Sequence, residues 1–371
     1  MARFLITSHV MTTPLRRLVR PRAPAAAASA ASAAISRGRR AASSAARPLE
    51  IVDSHFHYYD SGKPEIYSFV SGFGLPEACG APAYQPADYR RDFAGLPVTK
   101  TVHVEVLPDQ DASGSCVGEV VEVETLAATG ECELVAGIVA ACDLSQPAAV
   151  VEAQLDAIQA ASDKVRGIRW ITNYAGDLLP GESAIASRAT WPRVARDFST
   201  CPEFSRGLSM LPPRGLSFDL QANPDQLARW ASALAAHPDL SVVVDHVGSL
   251  RGLGGEGNGE ADDAQLAVWR AGLSALAEQT NAHIKLSMLG YAVPMWHTDA
   301  RKAALAREVV DTVIGIFGTD RCFFASNWPV DGEDGCSALE MYGHYMEWVA
   351  HRSADEQAKL FSRNAARFYR L

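Results

Sequence analysis

No CxxC pair is present, and the seven cysteines (79, 116, 132, 142, 201, 322 and 336) are an odd number. That pattern excludes a secreted disulfide framework and a zinc knuckle, and it points to reduced thiols. Long apolar runs are missing too. No stretch reaches the ~18 uninterrupted apolar residues that a membrane-crossing helix needs, so none is expected. Acid is absent from residues 1–49, which hold nine arginines and no Asp, Glu or Lys. The rest of the chain therefore sets 25 basic residues against 43 acidic ones. Nucleic acid and anionic membrane would repel so acidic a body, and neither is expected as a partner. What is present is ordinary for a globular chain: 371 residues, 48% hydrophobic, 21% charged and 8% aromatic. A chain of this size builds a large core without disulfide or metal staples.

Residues 1–48 are rich in Arg, Ala and Ser, the composition of an organelle transit peptide. The expectation is a disordered extension that directs import into the mitochondrion, with the plastid as the alternative, ahead of one domain over 49–371. The plain alternative is a low-complexity tail without a targeting role.

From Leu49 onward, short β-rich runs alternate with helix-period segments. The strand candidates are Leu49–Asp53, Thr101–Val106, Leu134–Val139, Arg166–Ile171, Gly215–Leu220, Ser241–Asp245, His283–Ser287 and Arg321–Ala325. Most are nearly continuous apolar runs, as parallel strands buried on both faces require. Eight βα alternations with right-handed crossovers predict an α/β fold closed as a (β/α)8 TIM barrel, with an open doubly wound sheet as the alternative. In a barrel the chemistry lies at the C-terminal strand ends.

Those ends carry a coherent set of residues. Strand one leads into His55-Phe56-His57, where i and i+2 point the same way. Paired imidazoles suit a metal ion or the polarisation of a carbonyl. On strand two, His103 and Glu105 share a face, expected inward if Val102, Val104 and Val106 face the helices; the alternative is a His–Glu pair filling the interior. On strand four Arg169 would hold a substrate carboxylate in a bidentate fork, or form a buried salt bridge, with Asn173 and Tyr174 following. Strand six ends in Asp245-His246, a ligand or acid/base candidate. Strand eight ends Ser326-Asn327-Trp328-Pro329-Val330-Asp331. Asn327 can position but cannot take a proton, so Asp331 becomes the candidate base. His297 lies in a loop that could line the pocket.

Together these motifs resemble the amidohydrolase superfamily, above all its amidohydrolase-related branch of TIM-barrel hydrolases, which includes sugar lactonases and 2-pyrone-4,6-dicarboxylate lactonase. The resemblance covers residues 49–371 and implies that His55, His57 and His246 are in the reacting set. It also implies a carboxylate after strand eight, where this chain has Asn327, and a histidine ending strand five in metal-dependent members, where it has Phe218-Asp219-Leu220-Gln221. A binuclear metal site is therefore not expected. A metal-free site is the first expectation, and a single zinc on His55, His57 and His246 is the alternative.

The expected activity is hydrolysis of a lactone or related ester of a small carboxylated or sugar-derived molecule. His55, His57, His246, Asp331 and Glu105 would do the chemistry. Arg169, Asn327, His103, Asn173, Tyr174 and His297 would bind the substrate. The alternatives are a metal-dependent decarboxylase and a small-molecule-binding barrel without activity.

Overall fold

The computed structural model describes residues 49–371 apart from 73–81, 112–113, 129–133, 179–184 and 256–258. The expected N-terminal extension lies outside the described residues.

Eight parallel strands follow one another in chain order: β1 (Ile51–Phe56), β2 (Val98–Val104), β3 (Val135–Ala141), β4 (Val165–Ile171), β5 (Ser217–Gln221), β6 (Val242–Val244), β7 (Ala282–Leu286) and β8 (Cys322–Phe324). The ring closes just beyond β8. Asn327 N–H donates to His55 O at 2.7 Å and His57 N–H donates to Trp328 O at 2.8 Å. The barrel expectation holds, and closure by these two bonds fixes Asn327 beside the β1 histidines.

The apolar residues sort into two layers. Outward-facing Phe56, Ile138, Ile168, Phe218, Val242, Ile284 and Phe324 join the helices in one large core. Val52, Val102, Val104, Val139, Val243 and Phe323 form a second cluster, in which β1, β2 and β3 meet β6 across the barrel interior. Phe368 and Tyr369, from the C-terminal helix Asn364–Tyr369, complete this inner cluster. That helix sits at the N-terminal end of the strands, since Arg370 donates to Arg166 O and Gly215 O there.

This layering corrects the expectation for β2. Val102 and Val104 face inward, so His103 faces the helix layer, against Phe56 and Tyr58. The reason is packing: bulky branched side chains fill a barrel interior. Outside, His103 finds polar company, with Tyr58 N–H donating to Nδ1 at 3.2 Å and Glu119 Oε1 at 3.5 Å from Nε2.

The crossover helices fall where the helix-period segments predicted them: Val117–Ala128, Ala148–Ala161, Leu227–Leu234, Gly259–Ala277 and Ala300–Phe317. Their starts are capped locally. Gln226 Oε1 accepts from Asn223 N–H at 3.1 Å, and Asp299 Oδ1 accepts from Arg301 and Lys302 N–H. Among the described residues no helix is long and apolar enough to cross a membrane.

Candidate active site

Six strands send side chains to one place. β1 leads to His55 and His57, β4 supplies Arg169, and β5 supplies Asp219 and Gln221. β6 leads into Asp245 and His246, β7 carries Lys285 and leads to Ser287, and β8 leads to Asn327. A cavity of about 200 Å³ opens above them, lined by His57, Arg169, Gln221, His246 and Asn327, and by the loop residues Leu107, Trp191, Met288, Tyr291 and Glu333. The turn after β6 is strained, with φ of 59° at His246 and 47° at the β-branched Val247. Such strain persists only where surrounding structure enforces it, and here it aims His246 at the cavity.

Beneath the cavity lies a buried charge cluster. Lys285 Nζ is 2.6 Å from Asp219 Oδ2, 3.0 Å from Asp245 Oδ1 and 3.1 Å from His55 Nδ1. Tyr369 OH donates to Asp219 Oδ2 at 2.6 Å. Lys285, Asp219, Asp245 and His55 are all fully buried. Burial, joined by the nearby charge of Asp245, pushes Asp219 up to about 6. For Asp245 burial works in the same direction, but Lys285 and then His55 outweigh it and hold its pKa well below the carboxylate range.

Arg169 is held as firmly. Its Nε donates to Glu105 Oε1 at 2.6 Å, Nη2 donates to Glu105 O, and Nη1 donates to Gln221 Oε1 at 3.2 Å and lies 3.3 Å from His55 Nε2. The salt-bridge alternative therefore describes this residue. With its N–H groups committed, a bidentate fork for substrate is not on offer. Glu105, which also accepts from Leu107 N–H at 2.7 Å, orients Arg169 and does not line the cavity.

The tautomer of His57 follows from its neighbours. Nδ1 lies 2.7 Å from Val104 O, so it must carry the proton. Burial first, then Arg169, lowers its pKa to about 3, leaving the ring neutral. Nε2 is thus a lone pair, 3.3 Å from the side-chain amide of Asn327. The near atom of that amide is Oδ1, so Nε2 and Oδ1 are two neighbouring acceptors that together can take both O–H groups of one water. His246 Nδ1 lies 3.0 Å from Ser287 Oγ, and burial lowers its pKa to about 3 as well.

The remaining expected residues lie elsewhere. Asn173 donates to Asn223 Oδ1 at 2.9 Å, and Tyr174 N–H donates to Gln226 Oε1 at 2.9 Å; both pin the loop after β4. His297 Nδ1 is 3.7 Å from Asp334, and His297 does not line the cavity. Asp331 Oδ2 accepts from Met288 N–H at 2.8 Å, and burial lifts its pKa well above the carboxylate range. Proximity to Asn327 in sequence pointed it at the reacting group; the turn instead turns it to the loop after β7, where it fixes Met288. Asp331→Asn, which keeps an acceptor oxygen for that N–H, is expected to leave kcat/KM within about threefold, against the ~100-fold or greater loss due to a missing base. Steady-state kinetics of the variant check this, and a base-sized loss would restore Asp331 to the chemistry.

Among the described residues, one group of histidine and acidic ligands closes to metal-binding distance: His55, Asp245 and His246, with ligand atoms within 4.8 Å of one another. Asp245 takes the place expected for His57. The donors suit zinc, but the space between them does not. Lys285 Nζ and Arg169 Nη1 already stand against both His55 and Asp245. A divalent ion held by these three residues would meet two cations at close range.

The comparisons with known proteins agree with this architecture. An uncharacterized protein of Sinorhizobium fredii is 28% identical over 328 residues, covering 87% of this chain and 99% of its own. An L-fucono-1,5-lactonase of Burkholderia ambifaria is 25% identical, covering 86% of this chain and 95% of its own. A crystal structure of an amidohydrolase from Burkholderia multivorans with bound zinc superposes with a TM-score of 0.66 at 25% identity, over 86% of this chain and 99% of that one. A family model for amidohydrolases matches residues 52–371, almost the whole barrel, and the chain belongs to the amidohydrolase family.

Proposed function

We propose that this protein opens a lactone of a small carboxylated or sugar-derived acid, with His57 activating water and no resident metal ion. The observation that carries the reading is the fixed tautomer of His57. Its Nδ1–H is tied to Val104 O, and its Nε2 lone pair faces the cavity beside Asn327. A water held by Asn327 gives its proton to Nε2 as its oxygen bonds to the lactone carbonyl carbon. Val104 O then stabilises the imidazolium that forms.

The carbonyl oxygen takes up negative charge in this step. With Ser287 Oγ–H donating to Nδ1, the His246 Nε2–H faces the cavity as a donor to that oxygen, and the Arg169 charge supports it from the strand end. Collapse breaks the ring C–O bond. The leaving alkoxide takes the proton back from His57, giving the hydroxy acid. A lactonase-named relative and the lysine at the metal-donor group both support this reading.

The test is a pH-stat screen of aldono-lactones, aldaro-lactones and pyrone carboxylate lactones, run before and after chelation. Hydrolysis that survives chelation is the expected result. Activity lost to the chelator and restored by zinc would overturn the metal-free mechanism. Release of carbon dioxide from an aromatic acid, with no lactone opened, would overturn the hydrolase reading.

A further inference from the structure

Arg251 follows the strained turn after β6, and its place is built with care. Its N–H donates to Ser187 Oγ at 3.0 Å, and its carbonyl accepts from Gln265 Nε2 at 2.9 Å. Ser187 and Gln265 are themselves buried and bonded to each other at 2.6 Å. The loop after β4 and the helix Gly259–Ala277 thus fix the backbone of one arginine.

Among the described residues the side chain meets no carboxylate, unlike others. Arg169, Arg188 and Arg229 each meet a carboxylate. The Arg251 guanidinium instead lies between two rings, 5.8 Å from the centre of Trp191 and 5.7 Å from that of Tyr291. Its Nε and Nη2 are buried with no hydrogen-bond partner among the described residues. Trp191 and Tyr291 both line the active-site cavity, and Arg251 stands beside them, just outside the lining residues. Cation–π contacts orient a guanidinium without neutralising it, and among the described residues no carboxylate pairs with this charge.

We propose that Arg251, held between Trp191 and Tyr291, is the specificity residue that takes a carboxylate carried by the substrate away from the lactone bond. The substrate class that follows is the lactone of a sugar diacid, an aldaro-lactone. Glu333, on the same wall and 3.3 Å from Tyr291 OH, offers an acceptor for the hydroxyls of such a ring. This inference rests on the lactonase reading for its reaction, but the carboxylate site does not depend on which residue activates water.

The experiment compares matched aldono- and aldaro-1,4-lactones, which differ only in a terminal CH2OH against a carboxylate. Wild-type kcat/KM is expected to favour the aldaro-lactone about tenfold or more, through KM. Arg251→Met should collapse that ratio, and Arg251→Lys should retain part of it, because a point charge replaces the fork. An unchanged ratio in Arg251→Met, or a wild-type preference for the neutral lactone, overturns the proposal. If neither lactone is opened, the lactonase reading fails, and the inference is read from binding. The aldarate dianion should then raise the melting temperature of the wild type more than the aldonate does, and Arg251→Met should lose that difference. Equal shifts in wild type and variant overturn it.

Discussion

Exchanging Lys285 for methionine is expected to lower the melting temperature by roughly 5–15 °C at neutral pH, the consequence of removing one partner from a buried ion cluster at a cost of about 3–5 kcal/mol. The ammonium is 2.6 Å from Asp219, 3.0 Å from Asp245 and 3.1 Å from His55, with no solvent at any of them. Methionine fills the space but leaves two carboxylates facing each other inside the barrel. Asp219 is the one able to yield, because burial already lifts it to about 6.

The sign of the pH dependence follows. Without the lysine, Asp219 in the folded variant holds its proton to still higher pH, whereas in the unfolded chain it ionises near 3.8. The folded state then binds more protons, so the variant gains stability as the pH falls and its deficit against wild type narrows. Lys285→Met combined with Asp219→Asn removes the repulsion directly and is expected to melt above Lys285→Met alone. Thermal melts of the three proteins at pH 5 and pH 8 decide the matter. A Lys285→Met variant as stable as wild type at both would show that the cluster does not hold the barrel together.

The same lysine shows where the sequence runs out. His55, His57, His246 and Asn327 were legible because each follows an apolar run at the end of a strand, and topology then brings strand ends together. Lys285 sits inside Ala282-His283-Ile284-Lys285-Leu286, which reads as an ordinary alternating strand with a solvated face. Its signal was the barrel itself: a lysine in a strand covered on both sides must meet a carboxylate, and Asp219 and Asp245 stand on the strands within reach.

His103 and Glu105 illustrate a different limit. Val-His-Val-Glu-Val alternates cleanly, but alternation in a strand buried on both faces does not say which face is inside. Here Val102 and Val104 fill the barrel, and Glu119 on the following helix lies against His103. Asp331 and Glu333 illustrate a third limit. Both lie in the turn after β8, and only the path of that turn decides that Asp331 meets Met288 N–H while Glu333 reaches the cavity wall. Trp191 and Arg251 come from loops after β4 and β6, 60 residues apart in sequence, and no local pattern joins them.

The second large effect is expected at His57. His57→Ala should lower kcat/KM by about 10²–10⁴-fold, the usual worth of a positioned base, while the loss of its bond to Val104 O costs the fold only about 1 kcal/mol. A rate that survives the exchange would place the base elsewhere. The sharper test is the pH profile. Because the pKa of His57 is lowered to about 3, the free base persists well into acid, and the wild-type rate is expected to stay level between pH 8 and pH 5. Asn327→Asp places a carboxylate 3.3 Å from the Nε2 lone pair, where the wild type has an amide. An adjacent negative charge favours the imidazolium, so the pKa of His57 rises toward its ordinary 6.5. As the pH falls through that higher value the base is consumed, and the variant should lose rate at pH 5 relative to pH 8 where the wild type does not. The new carboxylate therefore weakens the enzyme in acid even though it restores the residue type that the superfamily pattern implies after strand eight. A wild-type rate that falls already between pH 7 and pH 6, or an Asn327→Asp profile superimposable on it, would remove His57 from the role of base.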